Sequence, residues 1–599
     1  MQCIERGRTK ARSCGHENSG YQHPIESVKP STVRTGRIAG TGVYFGRPSG
    51  GVAAAIAAIA FEMDQTPRIS RSTARAILWL LILIGCVRIA GTYAFLNQTY
   101  DEPLHVACGM EWWSKGTYNY GHLHPPLPQV LMAAGPYFDG LRSQSRETFW
   151  AEGDALLYAN NHYWRTLTLA RIGNLPFFIL GCLVVYAWGC RWFSRTTGLV
   201  AVFLFSTLPP ILGHAGLATN DVPCCAAVAL GLFCVMAWVE DPSWKRTAAL
   251  SGALAFAVLC KFSAIGYIAG CGLVIVAVSW RTLRERPVWR AKQLVAVLFA
   301  AAVLVWGGYR FSLQRLDTLP QFQRLVETKP ALAAIGHTPL PFTEMFLSLV
   351  KLAHQNQLIH DSYLLGQYGV HWWYFFPVVL AVKAPLGLLI LAIVAAVTAG
   401  RWMSYSDHPW RLATLLFPAV ILAIAMSSRI DLGVRHLLPI FPYLAILAAQ
   451  GAVWLCRAPR VGWRVALVIA LVGFDAVHSA AAGIDQLAYF NPLAGSHPER
   501  ILCESDLDWG QDLNRLSVRL RELGVPRVSI AYFGTARVEA AGLPPYRTIG
   551  GQEKVGGWVA ASIRYLTLLR AKDGSFSWLR DIEPTEKIGR SIYLFHLPD

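Results

Sequence analysis

The chain has little charge for its length: of 599 residues only 15% are Asp, Glu, Lys or Arg, whereas 54% are hydrophobic. Mean hydropathy is +0.36. So few charges exclude an ordinary soluble globule and point to an integral membrane protein. Metal-knuckle and redox spacings are missing too. The 13 cysteines include no CxxC pair and have no His companions at ligand spacing. Most of them, such as Cys182, Cys224, Cys225, Cys260 and Cys271, lie inside apolar runs and read as small buried hydrophobes. Cys108 and Cys503 fall in long polar segments, where a disulfide between them is an option. No signal-peptide pattern is evident in the first residues, and no internal repeat is visible along the chain.

Acidic residues are the scarcer sign, 37 against 54 basic ones, for a net charge of +17. A nucleic-acid binder would gather that excess on one basic, aromatic-lined face of a soluble domain, and no such domain is visible. Instead the basic residues form short clusters between apolar runs, at 191–195, 245–246, 281–292, 401–411 and 457–464. This is the positive-inside pattern, so a membrane is the expected partner and nucleic acid is not.

What is abundant is apolar sequence. Stretches near 75–96, 168–190, 197–213, 222–239, 247–260, 262–280, 292–311, 373–398, 411–427, 434–455 and 463–483 predict about eleven helical spans, most close to the ~20 residues that cross a bilayer. The pair at 247–260 and 262–280 is short, and only Lys261 separates its members. With the N-terminus inside, an odd number of spans puts every basic cluster on the cytoplasmic side. The loops 97–167 and 312–372 and the tail from 484 to 599 then lie outside. Residues 1–72 lack apolar periodicity and read as a disordered basic segment. Met63 heads a short basic lead into the first span, so the first 62 residues are expected to be an over-extended gene start. The tail has Gly-Val-Pro and Gly-Leu-Pro-Pro turns and short alternating runs, the marks of a small α/β domain with a helix near 512–523 and a strand from Arg527.

Chemistry-bearing residues gather at the outer ends of these spans. Asp101 and Glu102 follow the first span directly, with His105, His122 and His124 in the same loop. Asp221 stands with Asn220 at the outer end of another helix, where an ionisable group must pair, solvate or function. Helix capping by the Asn220-Asp221 pair is the bland alternative. Lys383 lies some way into a later helix, and Arg429, Arg435 and His436 flank a short outer turn. Cations there suit a phosphate ligand, although Lys383 and Arg435 also fit interfacial snorkelling, as does Arg429. Acids facing cations suit displacement at an anomeric carbon: a carboxylate takes the acceptor proton while cations stabilise the departing phosphate. Asp101, Glu102 and Asp221 are also the oxygen set open to a divalent cation, which a monophosphate donor does not need.

Asp101-Glu102-Pro103-x-His105, then His124-Pro125-Pro126-Leu127, then Asn220-Asp221 resemble the bacterial family 39 glycosyltransferases of the GT-C fold, relatives of protein O-mannosyltransferases and aminoarabinose transferases. Tyr363-Leu364-Leu365-Gly366, Trp372-Trp373-Tyr374-Phe375-Phe376-Pro377, Lys383-Ala384-Pro385-Leu386 and Arg435-His436-Leu437-Leu438-Pro439-x-x-Pro442 continue the likeness. Tyr489-Phe490-Asn491-Pro492-Leu493-Ala494-Gly495 and the run from Asp506 to Asp512 resemble an uncharacterised bacterial branch.

The resemblance implies a GT-C-like bundle over 73–483 with the small α/β domain after it, in a bacterial inner membrane. Amphipathic helices in the first loop would lie at the interface near Glu111-Trp112-Trp113. It also implies a polyprenyl-phosphate sugar donor and a lipid, glycan or protein acceptor, with Asp101 as base or acceptor-positioning group and Asp221 beside it. Aminoarabinose transferases commonly carry Lys before the Pro-Pro pair, where this chain has His124. Phosphate binding is then expected to become pH-dependent or to pass to Lys383 and Arg435. A polytopic transporter or flippase is the main rival reading. A noncatalytic scaffold is a weaker rival, since it leaves the loop acids without a role.

Overall fold

The computed structural model describes residues 69–598, apart from 122, 285–286, 316–336, 358–360, 404–408 and 458–461. Ser70 caps the first span, its hydroxyl accepting the Thr73 amide at 3.0 Å, and the helix Arg71–Ala90 follows. It thus starts inside the segment expected to lack structure. The remainder of that segment, Met63 included, lies outside the described residues.

Each of the eleven apolar stretches contains helix. Among the described residues seven helices are long and apolar enough to cross a membrane: Arg71–Ala90, Tyr163–Trp192, Asp221–Glu240, Arg290–Gly308, Pro409–Ser427, Leu438–Cys456 and Gly462–Ala481. Two further candidates are bent pairs, Arg195–Thr207 with Pro209–Ala215 at 60° and Phe375–Lys383 with Leu386–Val397 at 113°. Both bends fall where a proline forces the preceding residue into extended backbone, at Leu208 and at Ala384. The amides released after Pro385 are recovered by the buried carboxylate of Asp475, which accepts Gly387 N at 2.9 Å and Leu388 N at 2.7 Å. The remaining two stretches form the shorter helices Trp244–Cys260 and Ser263–Val278, broken at Lys261 by extended backbone.

Leu438–Cys456 is the centre of the bundle, 94% of its span being buried against 17% for Gly462–Ala481. Peripheral helices therefore turn Leu, Ile, Val and Phe outward, as a lipid solvent requires. Two of the basic clusters meet at one end of the bundle. Arg191 Nε donates to Glu240 at 3.0 Å, and Arg411 Nε donates to the Trp192 carbonyl at 2.6 Å.

In the first loop, helix Glu102–Lys115 packs against Leu127–Phe138 and Phe149–Leu157, and its first ten residues are all buried. Around the expected interfacial residues, Glu111 is buried while Trp112 and Trp113 are half-buried. Glu111 accepts the Asn119 and Tyr120 amides at 2.9 and 2.8 Å, and Trp112 donates to the Gly308 carbonyl at 3.0 Å. The second outer segment carries two antiparallel strand pairs, β1 (Leu313–Arg315) with β2 (Pro339–Pro341) and β3 (Ser362–Leu364) with β4 (Gln367–Gly369).

The tail forms the expected helix and sheet. Helix Leu513–Glu522 buries Leu513, Leu516 and Leu520 against the sheet core. The five strands are β5 (Val528–Ala531), β6 (Tyr546–Thr548), β7 (Gly557–Ser562), β8 (Glu586–Ile588) and β9 (Ile592–Leu597), in the order β6-β5-β7-β9-β8. β5 is parallel to both neighbours, whereas β9 is antiparallel to β7 and β8. This sheet is clamped to the first loop by Arg537 on Asp154 at 3.0 Å and by stacked Tyr100 and Phe533 rings 5.4 Å apart. Cys108 and Cys503 are free thiols buried in separate apolar clusters, so the disulfide option is closed.

Candidate active site

The site lies at the bundle end opposite the basic clusters. After the first span the backbone runs alongside the tail, Asn97 N donating to Gln511 O at 2.9 Å and Tyr100 N to Trp509 O at 3.0 Å. Asp101 then occupies the N-cap position of Glu102–Lys115 without making a capping bond. Its carboxylate turns to Arg435 instead, Nη1 donating to Oδ2 at 2.6 Å, and remains 25% exposed.

Glu102 faces the other way. It is fully buried and receives Arg171 Nε at 2.8 Å, Arg171 Nη2 at 2.9 Å, Thr99 N at 2.7 Å and Ala218 N at 2.8 Å. Arg171 also donates to the Leu96 and Asn97 carbonyls, both at 2.8 Å. Burial alone would raise the Glu102 carboxyl, but the Arg171 charge and these donors hold it below the usual range. The expectation of a catalytic role is corrected here: with both oxygens committed, Glu102 ties residues 96–99 and 218 to the Tyr163–Trp192 span and so positions Asp101 next to it.

Asp221 opens helix Asp221–Glu240, and Asn220 at the N-cap makes no side-chain capping bond. The capping alternative therefore does not account for these residues. Asp221 Oδ1 accepts Lys261 Nζ at 2.6 Å, while Oδ2 has no hydrogen-bond partner. Lys261 sits at the extended break between two helices. In the sequence it stands only as a separator between two apolar stretches. A lone cation between two apolar stretches was the available signal.

Arg435 feels the charge of both acids. Burial acts against its charge, but Asp101 and Asp221 together outweigh that and keep the guanidinium protonated. Its Cζ lies over the Trp509 ring, 4.5 Å from the ring centre. Beside it are three imidazoles. Tyr118 donates to Gln129 Oε1, so Gln129 Nε2 donates at 2.9 Å to His105 Nδ1, which leaves the His105 proton on Nε2. The His105 and His124 rings are 5.4 Å apart. Burial holds His105, His124 and His436 below the ordinary histidine range, so all three are neutral near pH 7. Buried polar atoms without partners collect here: both His214 ring nitrogens, Asn220 Nδ2, Asp221 Oδ2, Arg435 Nε and His436 Nε2. Such a concentration of unsatisfied groups marks a place built for a polar ligand. A cavity of about 410 Å³ opens beside His124, lined by Leu104, Tyr120, Leu123, Phe149 and Lys351.

Lys383 is not part of this arrangement. It is fully buried, donates to the Leu487 carbonyl at 2.9 Å and the Asp506 carbonyl at 2.7 Å, and lies over the Phe490 ring. Its ammonium is spent on holding the tail, which corrects its assignment as a phosphate ligand and also rules out snorkelling. Arg429 is exposed, and His122 falls outside the described residues. Among the described residues no three His, Cys, Asp or Glu side chains are placed to hold a metal ion. Asp101, Glu102 and Asp221 are each committed to a different cation, so the oxygen set open to a divalent ion in the sequence does not assemble.

Residues 166–306 match the family model described as dolichyl-phosphate-mannose-protein mannosyltransferase. No curated protein matches the chain. Among solved structures, ArnT from Cupriavidus metallidurans bound to undecaprenyl phosphate is similar at 13% identity and a TM-score of 0.46, over 86% of this chain and 97% of that one. The apo oligosaccharyltransferase of Archaeoglobus fulgidus is similar at 11% identity and a TM-score of 0.45, over 86% and 73%. At those identities and scores neither likeness bears on what this chain does. The family match falls on the segment that contains Arg171, Asp221 and Lys261.

Proposed function

We propose that the chain transfers a sugar from a polyprenyl-phosphate donor to a lipid, glycan or protein acceptor on the non-cytoplasmic face of a bacterial inner membrane. The observation that carries this reading is the pair of carboxylate-cation contacts, Asp101 with Arg435 and Asp221 with Lys261, at one bundle end, with the charge of each acid acting on Arg435. The positive-inside distribution of the basic clusters supports that orientation.

In this mechanism the donor phosphate competes for Arg435 and Lys261, which exchange a carboxylate for phosphate oxygens. Asp101 is thereby released to take the acceptor O–H proton as the acceptor oxygen bonds to the anomeric carbon. The bond from that carbon to the phosphate oxygen breaks, and its electron pair leaves with the polyprenyl phosphate, whose charge the two cations stabilise. His105 offers its Nε2–H to an oxygen in the same cleft.

The two bent spans also occur in transporters, which unwind helices around a midplane site. One preparation separates the readings. Purified protein in vesicles, supplied with labelled undecaprenyl-phosphate mannose or aminoarabinose and envelope extract as acceptor, is expected to release undecaprenyl phosphate and move label to the extract. Label carried intact across the vesicle wall, with no bond cleaved, would establish transport instead.

A further inference from the structure

The motif running from Asp506 to Asp512 has no part in the reaction as described, and its domain needs no catalytic role. Yet the segment passes through the site. Ser505 Oγ donates to the Leu432 carbonyl at 2.5 Å, and Asp506 Oδ1 accepts the Val434 amide at 3.0 Å. Between those two contacts stands Gly433, at φ +97°, where a Cβ would strike the Asp506 carboxylate. The short turn that presents Arg435 is thus moulded on residues 505 and 506. Three residues on, Trp509 is buried among Leu217 and Leu487, its ring 4.5 Å from the Arg435 guanidinium and 6.0 Å from the His214 ring.

We propose that Trp509 is a positioning residue for Arg435: the indole face holds the guanidinium plane so that its Nη1 points at Asp101 and at the donor phosphate that replaces it. The tail is then a structural part of the active site rather than an appended module. Two physical facts favour an indole here. Arg435 Nε has no hydrogen-bond partner, so nothing else on that flank fixes the plane's rotation. A desolvated guanidinium over an indole is also the strongest of the cation–π pairs, and it orients the plane without using up the donors that a phosphate needs.

This inference rests on the functional reading above, and the test separates the two. Full-length protein in nanodiscs is titrated with undecaprenyl phosphate, comparing wild type, Arg435→Ala, Trp509→Leu, Trp509→Phe and the double variant Trp509→Leu/Arg435→Ala, with thermal unfolding recorded for each. Arg435→Ala is expected to weaken binding by roughly tenfold or more. Trp509→Leu should weaken it by a comparable factor and Trp509→Phe by less, while the double variant binds no worse than Arg435→Ala alone, because both losses act through one group. Multiplying losses in the double variant, or wild-type binding by Trp509→Leu, would overturn the role of Trp509 and leave the functional reading intact. Wild-type binding by Arg435→Ala would overturn both. If Trp509→Leu does not fold, the order wild type, Trp509→Phe, Arg435→Ala decides: Trp509→Phe binding as wild type removes the proposal.

Discussion

Arg435 donates to Asp101 at 2.6 Å across 334 residues of sequence, joining the first outer loop to the turn before the central helix. The carboxylate is otherwise uncommitted, which suits a base that is revealed when its cation is drawn away. Asp101→Asn keeps the shape and an acceptor oxygen for Arg435 but cannot take a proton. Turnover of labelled donor is expected to fall by about 10² to 10⁴, with membrane insertion and unfolding temperature nearly unchanged. Undiminished turnover would remove Asp101 as the base.

The Lys261–Asp221 pair should behave as a buried ion pair with a second task. Lys261→Met leaves Asp221 charged without its partner and should cost about 3 to 5 kcal/mol of stability. Adding Asp221→Asn should restore most of that stability and none of the donor turnover. Recovery of both by the double variant, seen in unfolding and turnover measured together, would make the pair purely structural.

The three imidazoles lining the cleft set the pH behaviour of binding. Burial holds His105, His124 and His436 below the ordinary histidine range, so they acquire charge only in more acid solution. A phosphodiester donor analogue, whose own charge is constant, should therefore bind equally well between about pH 6 and 8. An affinity that rises several-fold toward the acid end and is flattened by His124→Gln would show instead that His124 carries the phosphate.

Acids in the tail make the opposite contribution to stability from that of a paired carboxylate. Burial pushes Asp508 up to about 7, the Gly510 and Arg564 amides only partly opposing it. Glu504, Asp506 and Asp512 are raised by burial as well. The folded protein thus keeps a proton that the unfolded chain loses near the ordinary value of 3.8. The stability this proton confers is complete below that value and drains away as pH rises toward about 7. Asp508→Asn should make the unfolding temperature less dependent on pH over that interval than in the wild type. An equal or steeper dependence would contradict the assignment.

How much of this was legible in advance depends on whether the signal is local. A run of about twenty apolar residues excludes water whatever surrounds it, so all eleven helical stretches could be read directly, and the tail's helix Leu513–Glu522 followed from its own apolar face. Asp101 and Glu102 could not be told apart. Consecutive residues at a helix start point about 100° apart, so one faces the cleft and its neighbour faces Arg171. Which is which depends on where the Tyr163–Trp192 span packs.

Composition and the order of apolar and basic segments determined a membrane bundle with its polar residues at one end, because the bilayer acts on each segment separately. Tertiary structure alone decided which cations reach that cleft. Lys383 and Arg435 were equal candidates for a phosphate by charge, yet Lys383, next to a bend of 113°, holds the tail, while the break at Lys261 brings that side chain to Asp221. Side-chain charge is written in the sequence; the direction it faces is set by helix breaks and packing between segments hundreds of residues apart.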